Sequence, residues 1–184
     1  NYVTHEKFRL PQLDDHVDMS DGALSIGRYF TEMLDPSMNW QDVEEMVKLW
    51  DGEFCLKGIM SVEDARKAVD IGCTGIILSN HGGRQLDGSR SPFDQLAEIV
   101  DAVGDKIDVI MDSGVQRGTH VIKALSLGAK AVSGGRYYLF PLAVAGQKGV
   151  ERSLNLMREE IIRGMQLMGC KSVDELSSNN LKFR

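Results

Sequence analysis

The sequence predicts an α/β fold in which parallel strands alternate with helices, and three observations support this prediction. Short apolar runs, typical of buried strands, occur at 54–59, 75–79, 107–111 and 131–133. Amphipathic segments with helical spacing separate these runs. Small, polar and charged residues follow the strands. This alternation indicates parallel strands with right-handed crossovers, closed either as an open doubly wound sheet or as a (β/α)8 barrel.

The elements can be placed in order along the chain. Residues 1–36 lack sustained periodicity, so we expect a long loop with a short helix near Leu24–Leu34. The helices predicted after it are 43–50, 61–72, 93–103, 119–127 and 150–168. Because a barrel has typically about 250 residues, four strand–helix units amount to half of one. We therefore divide the chain into a mobile loop at 1–36, a half barrel at 37–170 and a tail at 171–184.

Composition narrows the class of protein. A chain of 184 residues with 42% hydrophobic and 26% charged residues can bury a core as a globular domain. A net charge of −6 argues against nucleic acid as a partner. Three widely spaced cysteines fit neither a zinc motif nor a disulfide framework, which indicates a reducing compartment. No apolar run approaches the roughly 20 residues needed to span a bilayer. We expect a cytoplasmic location, with peripheral attachment to a membrane as the alternative.

The most informative segment is 79–87, SNHGGRQLD, at the end of the predicted strand 75–79. His81 can take up a proton near neutral pH. Arg84 carries a planar guanidinium that matches a carboxylate. The two glycines between them allow the backbone to approach a ligand closely. The segment therefore predicts a site for an acidic substrate, although a plain polar loop after a strand is the simpler alternative.

Lys57 lies within the apolar segment CLKGI at 55–59. Burial of an unpaired ammonium group is costly, so the side chain either extends out of the strand end or serves an electron-rich ligand.

Two glycine-rich segments follow the last two strands. They are 111–119, MDSGVQRGT, and 133–136, SGGR. Glycines at the start of a helix expose backbone N–H groups to an anion, and the helix dipole adds positive potential there. Two consecutive ends of this kind form the usual phosphate site of a (β/α)8 barrel.

Together these motifs resemble those of the FMN-dependent α-hydroxy acid dehydrogenases and oxidases, which include flavin-type L-lactate dehydrogenase, glycolate oxidase and mandelate dehydrogenase. The resemblance covers essentially the whole chain and extends to segment 35–40, DPSMNW. It implies strands five to eight of a (β/α)8 barrel with FMN as cofactor. It also implies that His81 removes a substrate proton and that Arg84 holds the substrate carboxylate.

The resemblance assigns cofactor contacts as well. Lys57 would lie near flavin N1 and the C2 carbonyl, where a cation stabilises the reduced anionic ring. Asp112 would bind ribityl hydroxyls. Gly114, Gly135 and Arg136 would hold the phosphate.

The chain also departs from the family pattern. Gln116 stands where the family often has arginine, and Ser113 replaces the middle glycine of the motif. The neighbouring Arg117 could substitute for the missing cation.

The expected activity is the oxidation of an L-2-hydroxy acid, with L-lactate as the expected substrate, to the 2-oxo acid. Oxygen, a quinone or a cytochrome remains open as the electron acceptor, as does the choice between hydride and carbanion chemistry. We expect a homo-oligomer with no metal. We also expect the chain to be an inactive fragment of a longer protein, because the first four strands are missing. The alternatives are a phosphate-binding barrel enzyme without flavin and an inert structural half barrel.

Overall fold

The computed structural model describes residues 23–182. The chain divides after Val43 into two units. The first unit contains helix α1, Ala23–Met33, which agrees with the short helix expected near Leu24–Leu34. The loop expected at 1–36 lies largely outside the described residues. All features of the sheet and of the candidate site belong to the second unit.

Strands and helices alternate regularly after α1. The bounds are α2 Trp40–Trp50, β1 Cys55–Lys57, α3 Val62–Asp70, β2 Gly75–Leu78, α4 Pro92–Val103, β3 Asp108–Met111, α5 Gly118–Ser126, β4 Ala131–Val132 and α6 Gly135–Met168. Short 3-10 turns lie at His81–Gly83, Val173–Glu175 and Ser178–Asn180. The last two turns fall in the segment predicted to be a surface tail.

The four strands form one parallel sheet in the order β1-β2-β3-β4. Leu56 pairs with Ile76, and Ile76 pairs with Val109 on the next strand. A doubly wound sheet reverses its strand order at a switch point, whereas a barrel adds each strand beside the last. The sequence left open a doubly wound sheet and a barrel, and the sequential strand order favours the barrel. The architecture is a four-stranded section of a (β/α)8 barrel, as predicted.

The core lies between the sheet and the helices that follow its strands. Ile76, Leu78, Leu96 and Ile99 are completely buried. Side-chain caps mark where α3 and α4 begin. Ser61 Oγ accepts from the Asp64 amide at 3.1 Å, and Ser91 Oγ accepts from the Asp94 amide at 3.3 Å. Capping and burial together set the directions in which the strand ends point.

Several element boundaries differ from those predicted. The strands are shorter, and helix α6 begins at Gly135 instead of near residue 150. Its path is interrupted at Ala145 and Gly146, where the backbone leaves the helical region, and Pro141 lies within it. These helix-breaking residues hide the helical periodicity of 135–149, which explains the missed start.

None of the helices within 23–182 is both long and apolar enough to cross a membrane.

Candidate active site

The carboxyl ends of the four strands lie at one side of the sheet, and the loops after three of them line a cavity of about 620 Å³. That volume lies within the range of small-molecule and cofactor sites. The lining comes from the loops after β2, β3 and β4 and from the first residues of α6. The lining residues relevant here are His81, Gly82, Arg84, Asp112, Ser113, Gly114, Gln116, Gly134, Gly135 and Arg136.

Lys57, Ser79 and Asp112 form a hydrogen-bonded cluster at the ends of β1, β2 and β3. Lys57 Nζ lies 2.8 Å from Ser79 Oγ and 3.0 Å from Asp112 Oδ2. Ser79 Oγ donates to the same carboxylate oxygen at 2.6 Å. The ammonium group of Lys57 is thus paired, which removes the cost that an isolated charge in the strand would carry.

The carboxyl group of Asp112 remains ionised in this cluster. Partial burial acts to raise the pKa of Asp112, but hydrogen bonds from Ser79 and Lys57 and the charge of Lys57 outweigh it. The net effect holds the pKa of Asp112 below its usual value. Asp112 is therefore a fixed acceptor that suits hydroxyl donors such as those of a ribityl chain.

His81 lies in a tight turn directly after β2. Its backbone has a φ of 56°, in the left-handed region, and Gly82 follows with a φ of 68°. The His81 amide donates to Ser79 Oγ at 3.1 Å. The imidazole Nδ1 is hydrogen-bonded to the side-chain oxygen of Gln85. An amide oxygen accepts hydrogen bonds, so this pairing corresponds to the tautomer with the proton on Nδ1 and with Nε2 free.

Two arginines give the cavity a positive character although the whole chain is acidic. Arg84 lines the cavity, and within residues 23–182 no carboxylate forms an ion pair with its guanidinium. Arg136, in the first turn of α6, donates to the Gly82 carbonyl at 2.7 Å. The cavity can therefore accept anionic groups at two places, one near His81 and one at the start of α6.

The two glycine-rich segments are not equivalent, which corrects the expectation that both helix starts present free amides. At the start of α5, the Gly118 amide donates to Glu160 Oε2 at 2.7 Å. The Arg117 guanidinium binds the other Glu160 oxygen at 2.7 Å. The hydrogen bond from Arg117, which has the largest effect, and the bond from the Gly118 amide hold the pKa of the Glu160 carboxyl group below its usual value. A carboxylate of the chain itself thus occupies the N-terminus of α5, and Arg117 points to it.

The start of α6 is the better place for a phosphate. Gly134, Gly135 and Arg136 line the cavity there, and neither Gly114 nor Gly135 has atoms within 4 Å of the position a side chain would occupy. Backbone N–H groups at a helix start, glycines that leave room and an adjacent guanidinium form a phosphate cradle. The residues present therefore fit a phosphorylated cofactor such as FMN.

Six of the seven residues singled out in the sequence line this one cavity. The seventh, Lys57, is joined to it through its ion pair with Asp112. The roles assigned to these residues remain predictions. Ser79 and Glu160 were not among the residues predicted from the sequence. Ser79 carried a weak signal, a small polar residue at the end of a buried strand, whereas nothing in the sequence connects Glu160 with a loop more than forty residues away.

A barrel section with a positively charged cavity at its strand ends, a histidine and a phosphate cradle is typical of barrel enzymes that bind a phosphorylated cofactor, of which FMN is one. Comparison with protein families agrees, because the model for the FMN-dependent dehydrogenases matches residues 2–183. The chain therefore belongs to the FMN-dependent dehydrogenase family.

Individual relatives are similar along most of the chain. L-lactate dehydrogenase (cytochrome) from Saccharomyces cerevisiae is 43% identical over 171 residues, 90% of this chain and 28% of the relative. L-lactate oxidase from Nostoc is 41% identical over 166 residues, 90% of this chain and 46% of the relative. The chain thus spans less than half the length of these relatives.

Solved structures likewise match most of this chain, which in turn covers less than half of theirs. A flavocytochrome b2 variant superimposes with a TM-score of 0.79 and 43% identity, covering 86% of this chain and 42% of that one. Mandelate oxidase with benzoyl-formic acid gives a TM-score of 0.71 and 48% identity, covering 74% of this chain and 41% of that one.

Proposed function

We propose that the protein to which this chain belongs oxidises an L-2-hydroxy acid to the corresponding 2-oxo acid with FMN as the electron acceptor. L-Lactate is the proposed substrate. The observation that carries the proposal is that His81 and Arg84 line the same cavity as the phosphate cradle at Gly135 and Arg136. An acid–base group, a carboxylate binder and a cofactor site are thus within one space.

The chain's own residues supply binding and proton transfer. Arg84 binds the substrate carboxylate through its guanidinium fork, which orients the carbon bearing the hydroxyl group. Oxidation removes one hydrogen from that carbon and one from the hydroxyl oxygen. His81 Nε2 takes one of them as a proton. Bound FMN would accept the two electrons together with the other hydrogen. Whether the carbon loses a hydride or a proton, the charges balance with His81 protonated.

The remaining residues hold the cofactor in place. Asp112, kept ionised by Ser79 and Lys57, accepts hydrogen bonds from ribityl hydroxyls. The Lys57 ammonium group lies beside this carboxylate, where it places positive charge near the flavin ring. Gly114, Gly135 and Arg136 bind the phosphate.

Two relatives suggest the range of electron acceptors and substrates. Their names describe a lactate dehydrogenase that uses cytochrome and a lactate oxidase. Both fit the proposal of L-lactate as substrate and leave the acceptor of this protein to be measured.

The test is anaerobic reduction of FMN in the full-length protein, followed by bleaching of the flavin absorbance. L-Lactate should bleach the flavin and D-lactate should not. His81→Gln should slow bleaching by roughly 100-fold or more, the usual contribution of a general base. Arg84→Met should lower the second-order rate constant by about 10- to 100-fold through loss of a charge-assisted pair.

Arg90→Met is the matched control, since Arg90 forms an exposed ion pair with Glu98 at 3.1 Å. It should react like the parent protein. An FMN-loaded protein that no L-2-hydroxy acid bleaches would exclude the proposed reaction. Undiminished bleaching in His81→Gln would remove His81 from it. A purified protein that lacks and does not bind FMN would favour a phosphate-binding enzyme without flavin.

A further inference from the structure

Ser113 adopts a backbone conformation that serine rarely takes. Its φ is 77°, in the left-handed region that glycine occupies without steric cost. Of the residues described, only Asp51, His81 and Ser113 are non-glycines with positive φ. Two of these three therefore lie at the candidate active site, on loops that follow neighbouring strands. Strained backbone conformations of this kind persist where surrounding contacts hold them, and they are common at functional sites.

The Ser113 hydroxyl makes contacts that glycine could not make. Ser113 Oγ accepts from the Gly82 amide at 3.1 Å and lies 3.3 Å from Ser79 Oγ. Ser79 Oγ in turn accepts from the His81 amide. Two hydroxyl groups in contact with each other thus hold the two peptide N–H groups on either side of the His81 side chain.

Ser113 is the long-range member of this arrangement. The Gly82 amide is shared with the side chain of Asn80 at 3.0 Å, but Asn80 belongs to the same turn and moves with it. Ser113 instead lies after β3, 31 positions along the chain from Gly82. It therefore connects the turn that carries His81 to a neighbouring strand end. Arg136 binds the Gly82 carbonyl, so the turn stays near the cavity even without the Ser113 hydroxyl.

We propose that Ser113 is a positioning residue for His81: its hydroxyl fixes the peptide after His81 and thereby the direction of the imidazole in the cavity. The inference rests on the proposed function, in which His81 takes up the substrate proton. A serine with this role explains why an unfavourable backbone conformation is kept at a position where glycine would fit.

The test compares Ser113→Gly and Ser113→Ala in the full-length FMN-loaded protein. Both remove the hydroxyl, but only glycine also relieves the backbone strain. Both variants should slow anaerobic flavin reduction by about tenfold or more, as expected when a reacting group is misplaced. The Kd for FMN should change little. Ser113→Gly should unfold at the same temperature as the parent protein or higher.

Asp51→Gly is the matched control, because Asp51 also has a positive φ of 50° and lies outside the site. It should be as stable as the parent or more stable, with unchanged flavin reduction. If Ser113→Gly reduces flavin as fast as the parent, the proposal is wrong and the serine is merely tolerated.

A second readout does not depend on turnover. The imidazole of His81 can be followed by NMR in the apoprotein, with His81→Gln used to assign its signals. Ser113→Gly should shift these signals, whereas Asp51→Gly should not. Unchanged signals would overturn the positioning role. If the parent protein binds FMN but is not reduced by hydroxy acids, the proposed function fails while this NMR comparison still tests Ser113.

Discussion

Replacement of Gly118 by alanine should destabilise the contact between α5 and α6. Gly118 is the buried first residue of α5, and its amide binds Glu160. A Cβ atom there would lie 2.5 Å from Glu160 Cβ, 2.7 Å from the Ile161 nitrogen and 2.9 Å from the Glu160 carbonyl carbon. Two of these three atoms belong to the α6 backbone, so no change of rotamer can remove the overlap.

These distances determine how far α6 must move and how much stability Gly118→Ala loses. To reach an ordinary contact near 3.4 Å, α6 would have to withdraw from the Ile161 nitrogen by about 0.7 Å. Overpacking of this kind costs about 1–3 kcal/mol. The same movement stretches the 2.7 Å bond from the Gly118 amide to the Glu160 carboxylate, which lowers the stability further. From overpacking alone, we expect a decrease of about 1–3 kcal/mol in the free energy of unfolding.

The measurement is urea denaturation of Gly118→Ala, with Gly88→Ala as the control. Gly88 is exposed, and nothing lies within 4 Å of the Cβ position. Gly88→Ala should unfold at the parent midpoint, whereas Gly118→Ala should unfold at a clearly lower urea concentration with the same slope. The Kd for FMN should also rise, because the loop before α5 lines the cofactor cavity. Equal midpoints for the two variants would refute the packing described here.

Two further predictions concern the Lys57–Asp112 pair. Lys57→Met should slow flavin reduction by roughly 100-fold through loss of a cation beside the flavin. It should lower the free energy of unfolding by only about 1 kcal/mol or less, because the Lys57–Asp112 pair is partly exposed. Lys48→Met on α2 is the surface control, and equal reduction rates in the two variants would contradict the role of Lys57. The lowered pKa of Asp112 means that its ionised form stabilises the fold above the unfolded-state pKa of about 3.9 and that this contribution is lost as the pH falls through the folded-state pKa. The Tm difference between the parent and Asp112→Asn should therefore be largest at neutral pH and shrink below about pH 4, and a difference independent of pH would contradict the assignment.

Local sequence patterns predicted the order of strands and helices correctly, because hydrophobic periodicity and helix capping are properties of short segments. Ser61 caps a helix and the apolar run at 75–78 forms a strand, as their local patterns predicted. The pattern failed at 135–149, where Pro141 lies inside the helix and the backbone leaves the helical region at Ala145 and Gly146. A periodicity rule cannot recognise a helix that continues through such residues.

By itself, the sequence determined that His81, Arg84, Asp112 and Arg136 follow the strands of a parallel sheet, and parallel strands bring their carboxyl ends to one side. Only the tertiary structure decided how those residues are held. It placed Glu160 against the start of α5 and the Ser113 hydroxyl against the turn that carries His81. Such contacts join residues tens of positions apart. They depend on the distance between packed backbones, which no short stretch of sequence specifies.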